Sequence, residues 1–234
     1  MSLQRATFRG DASAHEFQEV LKRFKSEGCN LLVTGAVSED VTKHATRTLL
    51  GSPDADRKRV VALSDTRDEN VSERLPPGVD PDGPDVWLID QQAHQRSVPA
   101  AARSGDLDLP AGVESQDDLT RLREEIVAAI DFFDETTGGL SPADLRLSVA
   151  SLDRLTHEHE TSDVVRFARS VGAMVLGVRG MAHYHLPRPD DDDLVDRLSS
   201  LFDARIELRK RDGLPTEQRW HVPEYGQTTD WVRL

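Results

Sequence analysis

A chain of 234 residues, 37% of them hydrophobic, is long enough to bury the core of one full α/β domain and short for two, so residues 1–234 are expected to form a single unit. Its net charge of −13 disfavours polyanionic partners such as nucleic acid, and no apolar run reaches the length that crosses a membrane. Only five of the 29 basic residues are lysine (Lys22, Lys25, Lys43, Lys58, Lys210). An acid-rich, lysine-poor surface of this kind fits a halophilic protein kept soluble in strong salt, where screening makes self-repulsion tolerable; an ordinary acidic cytosolic protein is the alternative. Cys29 is the single cysteine, which rules out an internal disulfide, and the N-terminus lacks the apolar core of a signal peptide. A cytoplasmic location is expected.

In chain order, Phe17, Val20, Leu21 and Phe24 recur at helical spacing and Gly28 stops the pattern, which predicts a helix over Ala14–Glu27. The apolar run Leu31-Leu32-Val33 predicts a strand ending at Gly35, and Asp40–Leu50 predicts a helix closed by Gly51 and Pro53. Arg59–Leu63 and Val86–Ile89 are short continuous apolar runs, as strands buried on both faces read. Ala93–Gly112 is rich in Pro, Ala, Gly and Asp without a period and predicts a long surface loop. A helix is predicted over Asp117–Phe133, a strand over Leu145–Ala150 and a helix over Val164–Gly172. A strand region bent near Gly180 is expected over Met174–His185, then a helix over Leu194–Phe202. Two strands, Ala204–Arg209 and Glu217–Val222, close the chain around Arg211-Asp212-Gly213. The alternation predicts an α/β fold, a mainly parallel sheet flanked by helices with an antiparallel C-terminal edge hairpin.

The segment Asn30–Thr42 has the frame of a strand entering a phosphate-binding loop. Such a loop reads G-x-x-x-x-G-K-[ST], in which glycine amides wrap phosphate, lysine reaches the β and γ oxygens and a hydroxyl holds magnesium. Counted from Gly35, Asp40 stands at the second glycine and Val41 at the lysine, and only Thr42 survives. Lys43 lies about 200° around a helix from Val41, and so projects away from a phosphate at the helix start. Ser38 reads most simply as the helix cap, with Glu39 and Asp40 favourable to the dipole in the first turn.

From Phe17 to Val222 the order of pieces resembles the RecA-like ATPase core, and specifically its KaiC/RadA branch. The entry Asn30-Leu31-Leu32-Val33-Thr34-Gly35 matches that family's N-L-L-x-x-G strand. The family's R-[ILV]-[ILV]-[ILV]-D-S-L strand, whose Asp orients magnesium-bound water, falls on Arg146–Leu152, with Ala150 in place of the aspartate and Ser151 kept. Leu201–Leu208 and Arg219–Val222 match its closing strands, departing at Arg205. The chain is similar to KaiC-like or RecA-like domains of haloarchaeal genomes whose nucleotide motifs are degenerate. The resemblance implies a RecA-like fold, and the losses at Val41 and Ala150 remove both parts that stabilise phosphoryl transfer.

The reading that follows is a pseudo-ATPase: a non-catalytic regulatory or signalling module acting through protein contacts, with itself or with an intact KaiC-like or signal-transduction protein, and with no cofactor. One alternative is a sensor that holds ATP and magnesium on the loop Gly35–Thr42 without efficient hydrolysis. Another is a DNA-associated regulator using Arg205, Arg209, Lys210, Arg211 and Arg219. His183 and His185 alternate, so on a strand they share a face and could bind a metal if Asp153, His157 or His159 joined them; hydrogen-bonded structural histidines are the plainer reading. Asp190–Asp193 reads as an acidic cap on the following helix.

Overall fold

The computed structural model describes residues 11–63, 71–90, 96–97 and 118–234. Helix α1 (Asp11–Glu27) precedes strand β1 (Cys29–Thr34), and α2 (Glu39–Leu49) leads to β2 (Lys58–Leu63). After β3 (Val86–Asp90) and the two-residue β4 (Arg96–Ser97) comes α3 (Asp118–Thr137), then β5 (Leu145–Val149), α4 (Leu152–Glu158) and α5 (Thr161–Gly177). Next are β6 (Met181–Leu186), α6 (Asp193–Ser199), β7 (Ala204–Arg209) and β8 (Glu217–Val222), followed by the short β9 (Gln227–Thr228) and β10 (Val232–Arg233).

The strands form one sheet in the order β10-β8-β7-β1-β6-β5-β2-β3-β4, with β9 also on β8. The six central strands, β7 to β3, are parallel, and β4 and the β8 hairpin are antiparallel. Alternation along each strand feeds two layers. Leu31 and Val33 of β1 point to α1 and α2, where Phe17, Val20, Phe24, Val41 and Ala45 meet them. Leu32 points the other way, into the layer built from α3, α4, α5 and α6 around Ile126, Phe133, Phe167 and Val195. Strands covered on both faces are apolar without alternation, which is why β1, β2 and β3 carry continuous apolar runs.

Three expectations are corrected. The strand expected from Met174 begins only at Met181, because α5 continues to Gly177 with Val171 and Val175 on its buried stripe. The helix expected to reach Phe202 stops at Ser199, and Leu201 and Phe202 follow it in turns that bond back to Leu198 and Ser199. Within the expected loop 93–112, Arg96–Ser97 pair with β3 as a strand, and the remainder lies outside the described residues.

Candidate functional site

In an open α/β sheet a ligand binds beyond the carboxyl ends of the strands, where neighbouring strands send their chains to opposite faces. Here that point lies between β1, which runs on into α2, and β6, which runs on into α6. The loop Gly35–Thr42 therefore sits at the position where this architecture places ligands.

The segments that leave β1 and β6 are bonded to each other at this point. Gly35 N–H donates to the Arg188 carbonyl at 2.8 Å, and the Thr34 hydroxyl donates to Asp190 Oδ1 at 2.8 Å. Gly35 has φ +118, and a Cβ there would lie 2.2 Å from the Leu208 carbonyl oxygen. Glycine is required because backbone of β7 occupies the space beside it. Arg188 in turn reaches Asp153 of α4 and, at 3.3 Å, Asp192. The connection from β6 to α6 is thus tied down across the end of β1.

The loop that follows is short and internally bonded. Val37 N–H donates to Gly35 O at 2.9 Å, and α2 begins already at Glu39. Ser38 holds the expected N-cap position with extended backbone, and Glu39 and Asp40 lie in the first turn, but the Ser38 side chain makes no capping hydrogen bond. Its carbonyl accepts from Val41 N–H and Thr42 N–H, and the Thr42 hydroxyl donates to the same carbonyl at 3.3 Å. Asp40 is exposed. Val41, at the lysine position, is 7% exposed and packs in the core between α1, α2 and the sheet. Lys43 turns instead to Glu73 at 3.0 Å and Glu39 at 3.3 Å, and buried Arg74 also meets Glu39, at 3.1 Å. Glu39 is a negative group that both cations face at the helix start.

At the end of β5, Ala150 lies in the apolar cluster with Leu50, Val61, Leu63 and Leu88. The Ser151 hydroxyl accepts from Arg154 N–H at 3.2 Å and caps α4. Both residues serve the packing of this end of the sheet.

His183 and His185 do share a face, with rings 5.3 Å apart in an edge-on arrangement, beneath α2. His185 Nε2 lies 2.9 Å from the Thr46 hydroxyl, whereas His183 Nε2 and its cross-strand neighbour Ser148 Oγ are buried without a hydrogen-bond partner among the described residues. Burial holds both imidazoles neutral: His185 is pushed down to about 3, with Arg74 adding to the effect, and His183 lies well below the ordinary value through burial, His185 and Arg146. Arg146 is itself pushed down to about 10 by burial and by Arg57. The further ligands do not join this pair. Asp153 is held by Arg188, and α4, which carries it with His157, packs through Leu152 and Leu155 on the opposite face of the sheet.

The Arg-rich edge is not a free positive patch. Arg205 pairs with Asp190 at 3.0 Å, Arg209 and Arg211 with Glu217 at 2.9 Å each, and Arg219 with Glu207. Lys210 donates to the Leu214 carbonyl. Trp231 stacks on the guanidiniums of Arg209 and Arg219, at 3.8 and 4.6 Å. The signal was present in the sequence: with a period of two, Arg205, Glu207 and Arg209 share one face of β7, and Glu217, Arg219 and His221 the facing side of β8. The acidic run also acts differently from a plain cap. Asp192 does cap Leu194 N–H at 2.8 Å, but Asp190 points to β1, β7 and β8.

Comparison with known proteins bears on this arrangement as a whole. A family model described as a family of unknown function (DUF7504) matches residues 28–208. No curated protein matches the chain. Among solved structures, a KaiC-like protein from the hyperthermophilic archaeon Pyrococcus horikoshii is similar with a TM-score of 0.51 and 13% sequence identity, over 84% of this chain and 79% of that one. At that identity the likeness is one of fold, and the fold is RecA/KaiC-like. Among the described residues no helix is long and apolar enough to cross a membrane.

Proposed function

We propose that this chain, which belongs to the DUF7504 family of unknown function and has a RecA/KaiC-like fold, is a pseudo-ATPase that works as a regulatory or signalling module through protein contacts. The observation that carries the reading is Val41. A phosphate-loop lysine must project into the loop, and the residue at its place is buried in the apolar layer under α1. Two further features support it: Gly35 and Arg188 bond across the crevice, and Ala150 is part of an apolar cluster at the place of the metal-side aspartate. Without a lysine charge or a metal-side carboxylate, neither the γ-phosphate nor magnesium has its partner.

Partners fitting this reading are a second copy of the chain, an intact KaiC-like protein or a signal-transduction protein. The acidic, lysine-poor composition fits action in a halophilic cytoplasm. The test is calorimetric titration of ATP with magnesium into the protein in high-salt buffer, beside a Thr42→Ala variant. No saturable heat up to millimolar ATP is the expected result, after which partners are sought by pull-down from a high-salt extract. Saturable binding that Thr42→Ala abolishes would overturn the reading in favour of a nucleotide sensor.

A further inference from the structure

Asp190, Glu207 and His221 come from three separate elements: the connection after β6, strand β7 and strand β8. Each offers a donor atom, and the three atoms lie within 4.8 Å of one another. His221 Nε2 is 3.0 Å from Glu207 Oε2 and 3.6 Å from Asp190 Oδ2. Zinc bonds of about 2.0–2.1 Å in tetrahedral geometry put neighbouring donors about 3.3 Å apart, between those two separations. We infer that Asp190, Glu207 and His221 form a binding site for a divalent first-row cation, zinc by its donor set, at the carboxyl ends of β1 and β7.

The surroundings are those of a built site rather than a chance meeting of acids. The second ring nitrogen of His221, Nδ1, lies 3.2 Å from the Thr228 hydroxyl, a contact that fixes the ring and leaves Nε2 facing the carboxylates. Asp190 Oδ1 accepts from the Thr34 hydroxyl, which leaves Oδ2 turned toward His221. All three side chains are mostly but not fully covered, with 14–18% exposure, so an ion can enter and keep water in its remaining positions. Two guanidiniums also touch the group: Arg205 Nη2 at 3.0 Å from Asp190 Oδ2, and Arg219 Nε on Glu207 Oε2. A carboxylate oxygen has two lone pairs, so each can accept from its arginine and still ligate. The two arginines balance the two carboxylates, and the cation therefore enters a neutral cluster, which makes its binding weaker than at a bare pair of acids. Bound there, the ion ties the β6–α6 connection to the hairpin, next to the backbone bond between Gly35 and Arg188. The inference does not depend on the pseudo-ATPase reading.

The experiment is titration of Zn²⁺ alone into the metal-free chain in high-salt buffer, with Co²⁺ absorption as a second readout of coordination. One equivalent of saturable Zn²⁺ is expected. His221→Gln should lower its affinity at least about 100-fold, with an unchanged thermal midpoint in the absence of metal showing that the fold is kept. Thr228→Val, which removes only the outer contact, should weaken binding by about 10-fold or more. The inference is overturned by the absence of saturable uptake at millimolar Zn²⁺, or by uptake that survives His221→Gln. If His221→Gln does not fold, full-strength binding in Thr228→Val together with unchanged binding in Glu207→Gln overturns it equally.

Discussion

The buried histidine pair makes the protein acid-sensitive in a defined window. His185 is 1% exposed and its folded-state pKa is pushed down to about 3, below the unfolded value of 6.5. Above about pH 7.5 the imidazole is neutral in both states and contributes nothing to the pH dependence. As pH falls through 6.5 the unfolded chain takes up a proton that the folded chain refuses, so stability falls with pH throughout the interval down to the folded pKa. At pH 5 the gap to 6.5 is about 1.5 units, worth about 2 kcal/mol at 1.36 kcal/mol per unit. His183 acts in the same direction through burial and the neighbouring His185 and Arg146. The assay is urea unfolding at fixed salt, at pH 7.5 and pH 5.0, for the parent and for His185→Gln, which keeps a polar partner for Thr46. The parent should lose about 2 kcal/mol more than the variant between the two pH values. Equal losses would refute the reasoning, since they would mean that the folded chain accommodates an imidazolium at this position.

Three other outcomes follow from the same geometry. Gly35→Ala forces an L-residue to φ +118 and sets its Cβ against the Leu208 carbonyl, whose strand is locked by pairing with β8, so urea unfolding should show a loss of at least about 3 kcal/mol; a loss under 1 kcal/mol would show that β7 can yield. Val41→Lys places an ammonium in the apolar layer with Val33 and Ile206 and should cost about 3–5 kcal/mol without producing any ATP-dependent rise in melting temperature; a rise on adding ATP would mean that position 41 can still turn into the loop. Because the net charge is −13, the melting midpoint should rise as KCl goes from about 0.1 M to 1 M and the screening length falls from about 10 to 3 Å. A midpoint that stays level or drops would count against a halophilic surface.

The elements that sequence reasoning located best are those whose spacing alone fixes them. Phe17, Val20 and Phe24 give α1 its buried stripe, and β1, β2 and β3 announce themselves as short unbroken apolar runs. The misplaced end of α5 has one cause. Gly172 looks like a stop, yet it lies inside the helix, where a Cβ would come within 3.1–3.3 Å of the Asn30 side chain on β1. Asn30 Nδ2 donates to the Gly172 carbonyl at 3.2 Å. That glycine permits close packing and does not end the helix, a distinction that depends on a residue 142 positions away. The site divides in the same way. The absence of a lysine at Val41 was legible, but the bond between the segments leaving β1 and β6 was not, since it joins the backbones of Gly35 and Arg188 and leaves no trace in side-chain pattern. The grouping of Asp190 with Glu207 and His221 was hidden for a related reason: the acidic run around Asp190 suggests a helix cap, and only Asp192 has that role.

The features around the loop from 35 to 42 are of different physical kinds, and this bears on whether one substitution could make it hold a nucleotide. Burial of Val41 is an apolar-packing term, the Gly35–Arg188 bond is a backbone term held by Asp153 and Asp192 through the Arg188 side chain, and the charges at the start of α2 are already balanced by Glu39 with Lys43 and Arg74. A lysine at 41 would have to leave the core and then compete with Glu39 for the incoming phosphate. Glu39 lies in the first turn of α2, where the helix dipole favours its charge, so the same position that stabilises the helix repels a polyanion. Glu39→Gln combined with Val41→Lys is therefore the smallest change that alters both the charge and the reach of the loop.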